Sequence, residues 1–496
     1  GAIVIWVCLS LEATTYFVDA GSGNDRGPGT EAQPWQTLDK VNNSGDLINP
    51  GDSILLKRGQ TWRGRLIPHS GSSTGGRITY GAYGDPADAK PLILGSVELN
   101  SPSNWTSIGA NLWQTTAPID TTYGISNVIY NNGAFCGYLC QTLDSLISRQ
   151  TQGDWYQDPN YYITVYSDTI PSTYYSDIEM AVSVTIIVSG SYVTLQDLDL
   201  RYGGFHGIQF VMATDITVAN CDLAFMGGAG VWDWRLGNGI EFWGSAAHAL
   251  IERCSIWNIW DSGITQQGNA SAHVQHDMIF RNNILGKCDY ASYEGAWLSG
   301  DAALISNIHF ENNTCIDAGK GWTQYQHRHG GWPIYGIHLL VSLDPGKVST
   351  FYVRNNIFHE TTGALLCVRD SAQPNMTVDY NAYFTTAAFV ADCWKTAYDM
   401  AKFAEYQTKT GYDAHSFAAP IGMVDPANLD FHLKSVMRHW NPISKTWVKD
   451  DEHSPAIDAG DPGFDWSAEP MPNGSRINIG AYGNTSQASL SARLEQ

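Results

Sequence analysis

Three segments of this chain place two adjacent asparagines inside an apolar stretch: FRNNIL at 280–285, FENNTC at 310–315 and YVRNNIF at 352–358. Asparagine is a poor strand former and a good turn former. Buried, its amide costs stability unless it finds hydrogen-bond partners. The pairs also belong to a longer series. ITVANCDLAF, ALIERCSIWN, MIFRNNILGK, IHFENNTCID, FYVRNNIFHE and MTVDYNAYFT share one frame, and TLQDLDLRYG fits just before them. The marker position falls on Leu198, Cys221, Cys254, Asn283, Asn313, Asn356 and Asn381, at intervals of 23 to 43 residues.

A repeat of this length, with longer intervals from loop insertions, describes a solenoid. Each unit has a short β-branched strand, a polar turn and a second short strand, with neither a leucine-rich consensus nor a helical period. The spacing therefore predicts an all-β parallel β-helix whose coils stack about 4.8 Å apart. In such a stack each marker asparagine bonds to the next and to turn backbone, so the buried amides are satisfied. They are architecture rather than catalysis. Cys221 and Cys254 share the marker position in adjacent coils and either stack as thiols or form a disulfide. Nine cysteines, eight without Cys8, permit disulfides in an exported chain.

With the ladder in view, the chain resembles the right-handed parallel β-helix proteins of the pectate-lyase-like superfamily. YFVDAGSGNDRGPGTEAQPWQTL at 16–38 and PGDSILLKRG at 50–59 resemble their N-terminal cap. LDFHLKS at 429–435, SPAIDAGDP at 454–462 and INIGAYGN at 477–484 resemble their irregular C-terminal closing segment. The resemblance implies one domain over 14–484, with regular coils at about 185–384 and a tail at 485–496. Residues 100–185 are expected to be early coils with large insertions, and AYDMAKFAEYQTKTG a helical interruption. The apolar run at 2–11, ending near Ala13, has the form of a signal-peptide remnant (1–13), although Leu11 is large for its place and no basic stretch precedes it. These features point to a secreted, extracellular monomer. The superfamily includes lyases, hydrolases, epimerases and binding proteins, so the fold does not choose the reaction.

Eleven residues past each marker, allowing for the insertion after Cys221, lie Gln209, Glu241, Thr265, Glu294, Gln324 and Cys367. Their Ile and Phe neighbours should point inward, so this column points outward. Two residues on, a second outward column holds Val211, Trp243, Gln267, Ala296, Gln326 and Arg369. Together they predict an exposed polar strip, suited to bind a glycan through Gln209, Trp243, Gln267, Gln324, Gln326 and Arg369. Trp232 and Trp234 in a flanking loop add sugar-stacking surface. Glu241 and Glu294 stand two coils apart, roughly 9–10 Å between Cα atoms. Two carboxylates about 6.5–9.5 Å apart suit inverting glycoside hydrolysis, one as acid and one as base on a water. The alternative is a pair of solvated glutamates with no role. Asp233 and Asp261 could supply a further acid, or cap turns.

A formal charge of −21, from 49 acidic and 28 basic residues, repels nucleic acid and anionic membranes and disfavours a polyanionic substrate. It supports a secreted glycoside hydrolase acting on a neutral or weakly charged polysaccharide of plant cell-wall type. Two other readings stay open. In QYQHRHGGW at 324–332, His327 and Arg328, with Arg369, could serve a uronate lyase, His327 as base and the arginines as carboxylate neutralisers. A non-catalytic carbohydrate-binding protein is the third. His327 and His329 lack a third ligand in register, so no metal centre is expected, and no cofactor is required. Ca²⁺ in the Asp/Gly-rich cap loops is left open. GGFHG at 203–207 resembles the Gly-His-Gly of polygalacturonases, but that family's Asn-Thr-Asp, Asp-Asp and Arg-Ile-Lys motifs are absent, so its catalytic residues are not carried over.

Overall fold

The computed structural model describes residues 13–491, except 121, 183, 229–235, 269–272, 297, 299–302, 323–334, 344–345, 369–374, 388 and 393–395. The side chains of 296 and 389–392 are likewise outside the description. The expectations for the signal-peptide remnant at 1–13 (save Ala13) and for Trp232, Asp233, Trp234, Gln324, Gln326, His327, Arg328, His329 and Arg369 fall on residues outside it.

The strands gather into three long sheets of 10, 9 and 10 strands. Each regular coil after the inserted module contributes one strand to each sheet, and neighbouring coils pair in parallel. One coil illustrates the order. Ala246–Glu252 lies in the first sheet, Ser255–Ile259 follows after the marker turn in the other 10-stranded sheet, and Ser262–Gln267 lies in the second sheet, the one of 9 strands, which carries the polar column. The inward positions form apolar columns through the solenoid. Ile208, Ile240 and Ile264 are fully buried, and Phe210 stacks on Phe242 at 5.2 Å. Truncating one such residue to alanine costs about 2–5 kcal/mol.

Each half of an asparagine pair has its own task. The first takes a left-handed conformation: φ is 55° at Asn282, 54° at Asn312 and 58° at Asn355. Asparagine tolerates that region better than most side chains. The second is buried and stacks. Asn283 Nδ2 donates to Asn313 Oδ1 at 3.0 Å, Asn313 to Asn356 at 3.1 Å and Asn356 to Asn381 at 3.1 Å. Each Nδ2 also donates to a main-chain oxygen of an adjoining coil, and each Oδ1 also accepts the previous marker's backbone N–H. The ladder ends on Asp413, which accepts from Asn381, Ser416, Tyr383 and Tyr406. Cys221 and Cys254 extend it as free thiols rather than a disulfide. The hydrogen-bonded Cys254 thiol and burial push the Cys221 thiol well up.

Residues 100–185 depart from expectation. The strands from Ser96–Glu98 to Ile178–Val182 form two four-stranded sheets paired antiparallel, so this is a module inserted between coils. The alternating aromatics of this stretch suit hairpins as readily as coils. Arg63 ties the module to the solenoid by a paired contact with Glu179, at 2.7 and 2.8 Å. The expected helix appears at Phe403–Thr410. The closing segment runs along the outside of the turn ladder: Asn282 Nδ2 donates to Ala481 O and Gly483 O, and Asn312 Nδ2 to Asn478 O. Residues 485–491, expected as a tail, are packed. Leu490 N donates to Arg438 O and Ser489 Oγ to Leu433 O.

Candidate functional site

The second sheet brings the expected column together. Gln209 pairs with Glu241, Glu241 with Thr265 and Thr265 with Glu294. Two places differ. Leu340 stands where Gln324 was expected, and Ser342 where Gln326 was expected, each in register with the coil before. The insertion after Trp322 therefore precedes its strand instead of following it. Cys367 keeps its place opposite Leu340. In the second column Val211, Trp243 and Gln267 align as expected.

Glu241 and Glu294 were expected to be exposed. They are buried, 2% and 0% accessible. Their orientation is nonetheless outward: Ile240, Phe242, Ile264 and Tyr293, which alternate with them, belong to the interior core. The burial thus comes from the outer side of the sheet. The inserted module packs near that side, Tyr123 on Phe205, the residue before His206, and the Ser126 backbone against Gly228.

A hydrogen-bond chain joins the two carboxylates. Gln209 Nε2 donates to Glu241 Oε2 at 2.6 Å and Asn238 Nδ2 to Oε1 at 3.3 Å. His206 Nε2 stands 3.3 Å from Oε2. The backbone N–H of Asn238 donates to His206 Nδ1 at 3.1 Å, so Nδ1 is the acceptor nitrogen and the ring proton faces Glu241 from Nε2. Asn238 Oδ1 accepts the N–H of Ser262 at 3.2 Å, and Ser262 Oγ donates to Glu294 Oε2 at 2.7 Å. Gln267 Nε2 donates to the same oxygen at 3.1 Å. Between the glutamates sits Thr265, fully buried, whose Oγ1 has no hydrogen-bond partner. A buried hydroxyl of this kind normally has a partner, so a water or a ligand hydroxyl suits the place.

Asp261 heads the same strand, fully buried, its main-chain oxygen accepting from Tyr290 N. With burial and the Cys315 and Asp289 charges, it adds to what pushes the Cys288 thiol up. Trp243 is half-buried beside Glu241's strand end, and Gln209 is half-buried with its amide turned to Glu241. The cap-loop carboxylates serve the backbone. Asp19 accepts from Gly21 N, Ser22 N, Ser22 Oγ and Lys57 Nζ, and Asp25 from Gln36 N, Thr37 N and Thr37 Oγ1.

Asn238 and Ser262 were not singled out from the sequence, and His206 was met only in GGFHG and set aside, yet a signal was present. They begin the triplets HGI, NGI and SGI at 206–208, 238–240 and 262–264, whose isoleucines pair in register. The glycine is required by close approach: a Cβ on Gly239 would lie 2.5 Å from Gly263 O.

Residues 238–397 match the family model described as the right handed beta helix region. The chain is a right-handed parallel β-helix protein. Over 83 residues this β-helix chain is 39% identical to the lacto-N-biosidase of Bifidobacterium longum subsp. longum, a stretch of 16% of this chain and 5% of that relative. Among solved structures, one titled glycoside hydrolase aligns with a TM-score of 0.49 and 11% identity, over 75% of this chain and 93% of that one. The GH136 lacto-N-biosidase from Eubacterium ramulus aligns with a TM-score of 0.43 and 17% identity, over 75% of this chain and 60% of that one.

Proposed function

We propose that this β-helix protein is a carbohydrate-active enzyme, a glycoside hydrolase acting on a neutral or weakly charged glycan outside the cell. The observation that carries the reading is the pair Glu241 and Glu294, outward in one column with a single coil between them. Each is oriented by side-chain donors: Gln209, Asn238 and His206 on one, Ser262 and Gln267 on the other. In this reading one carboxyl protonates the leaving glycosidic oxygen while the other takes a proton from the attacking water. Thr265 Oγ1 lies where that water or a sugar hydroxyl can be held. The local identity to a lacto-N-biosidase adds support, although it covers little of that relative.

The test follows product chemistry. The purified chain is incubated with panels of neutral and uronate glycans, with reducing ends and ultraviolet absorbance read in parallel. Reducing ends without absorbance are expected, and are lost in Glu241→Gln and Glu294→Gln. The variant of the acid residue should regain turnover on an aryl glycoside, whose leaving group needs no proton. Reducing ends together with absorbance would mean β-elimination and turn attention to His327, Arg328 and Arg369. No product on any glycan, with binding retained, would leave a carbohydrate-binding protein.

A further inference from the structure

On the first sheet, away from the glutamate column, the strands Ala246–Glu252 and Val274–Arg281 carry His248, His276 and Asp277. Their donor atoms all lie within 4.8 Å of one another, and each side chain is open to solvent. His276 Nδ1 is 2.6 Å from Asp277 Oδ2, and His248 Nδ1 is 3.8 Å from the same oxygen. Tetrahedral zinc ligands stand about 3.3 Å apart, so both separations are within a small side-chain rotation of a chelating arrangement.

The backbone supplies the geometry. Asp215, His248, Asp277 and Asn307, one per coil, form a column with φ of 60°, 54°, 55° and 50°. The pairing skips this column: Ala247 faces His276 and Ala249 faces Met278, with the left-handed residues between. A left-handed residue breaks the strict in-out alternation of an extended strand, and His276 and Asp277 are both open to solvent. That is how His276 and Asp277 both come to the outer face beside His248.

Asp277 is also held from behind. Asn307 Nδ2 donates to Asp277 Oδ1 at 2.5 Å, and Asn307 Oδ1 bonds to His309 Nε2 at 3.0 Å. His309 Nδ1 in turn bonds to Glu311 Oε1 at 2.9 Å. This chain fixes the amide's orientation and leaves Oδ2 toward the imidazoles. Supporting partners of this kind orient the ligands of metal sites.

We propose that His248, His276 and Asp277 bind a divalent transition metal of the zinc class. Two imidazoles and one carboxylate, with a position left for water, favour zinc, nickel or copper over calcium and magnesium. The ion would join two adjacent coils. The proposal is independent of the glycosidase reading and uses none of its residues.

Chelator-stripped protein is titrated with Zn²⁺ by calorimetry. One ion per chain is expected to bind, with excess Ca²⁺ unable to compete. His248→Ala and His276→Ala each weaken binding by more than about 100-fold, and Asn307→Ala by roughly 10-fold. His415→Ala is the control. His415, in a turn, makes a like contact at 2.7 Å with Asp379 of the first sheet's Met376–Asp379 strand, and its removal should change nothing. Saturating Zn²⁺ raises the melting temperature of the wild type and not of the His248 and His276 variants. Absence of saturable binding in the wild type overturns the proposal. So does binding of equal strength in His248→Ala and His276→Ala, with their metal-free melting unchanged.

Discussion

Two polar columns run along this solenoid, one at a corner and one on a face. At the corner, Asn283, Asn313, Asn356 and Asn381 close their hydrogen bonds on one another and on backbone. On the face, Gln209, Glu241, Thr265 and Glu294 follow the same one-per-coil rule, but the residue type changes at every step and Thr265 Oγ1 is left unpaired. A repeated residue that satisfies its neighbours serves the stack. A column that varies and leaves a buried hydroxyl unused has the character the proposed glycoside hydrolase site requires.

Exchanging function for stability between the columns gives the largest expected effect. Glu294→Gln and Glu241→Gln should each lower kcat/KM by about 10²–10⁴-fold while melting changes less than in Asn313→Ala, because a glutamine amide is nearly the same size and at Glu241 costs as little as the long Asn238 Nδ2 contact at 3.3 Å. Asn313→Ala should do the reverse. It removes one hydrogen bond from each of Asn283 N, Asn283 Nδ2, Asn356 Oδ1 and Phe280 O, a loss of about 4 kcal/mol read as a lower urea midpoint. Specific activity of the folded fraction should be retained. A Glu294→Gln protein that unfolds as readily as Asn313→Ala would make the face column structural too.

The two columns were unequally legible. The corner could be read in full because one residue type recurs and its turn requires a left-handed residue just before it. The face could be read as far as Glu294 by counting from the corner, since the short strands hold the offset. Counting failed at the coil that carries the insertion after Trp322, where Leu340 takes the expected place of Gln324, and held again at Cys367. No periodicity tells on which side of a strand an insertion falls. Burial of the glutamates was also out of reach, because it depends on what packs from outside. The hairpins of the inserted module alternate as coil strands do, so pattern alone did not separate them. His206, Asn238 and Ser262 change type from coil to coil, so their column shows only through the shared Gly-Ile that follows.

The outer half of each asparagine pair meets the closing segment, and there the comparison turns on pH. Burial pushes the Glu469 carboxyl from 4.5 up to about 7, although Asn478 N and Asn484 N donate to it. Its folded value lies above its unfolded one. Its stabilising contribution is therefore full below about pH 4.5 and is lost as pH rises through 7. The 4.5-to-7 difference corresponds to about 3 kcal/mol. Urea unfolding at acid and alkaline pH should show the wild type losing more stability on the way up than Glu469→Gln, which cannot titrate. Parallel losses in both proteins would remove Glu469 as the cause.

The smallest effect cuts most finely between the columns. Thr265→Val replaces the hydroxyl with a methyl of similar size. Every comparable change in the corner column breaks bonds within the protein and destabilises it. At Thr265 there is no such bond to break, and removing an unsatisfied buried hydroxyl should leave stability the same or raise it by about 1 kcal/mol. If that hydroxyl holds the attacking water or a sugar hydroxyl, one hydrogen bond in the transition state is lost. The value of kcat/KM should then fall about 5-fold. Thr265→Ser, which restores the hydroxyl, should recover most of it. A valine variant that is less stable and fully active would place Thr265's hydrogen bond inside the protein, and the face column would then differ from the corner only in its residue types.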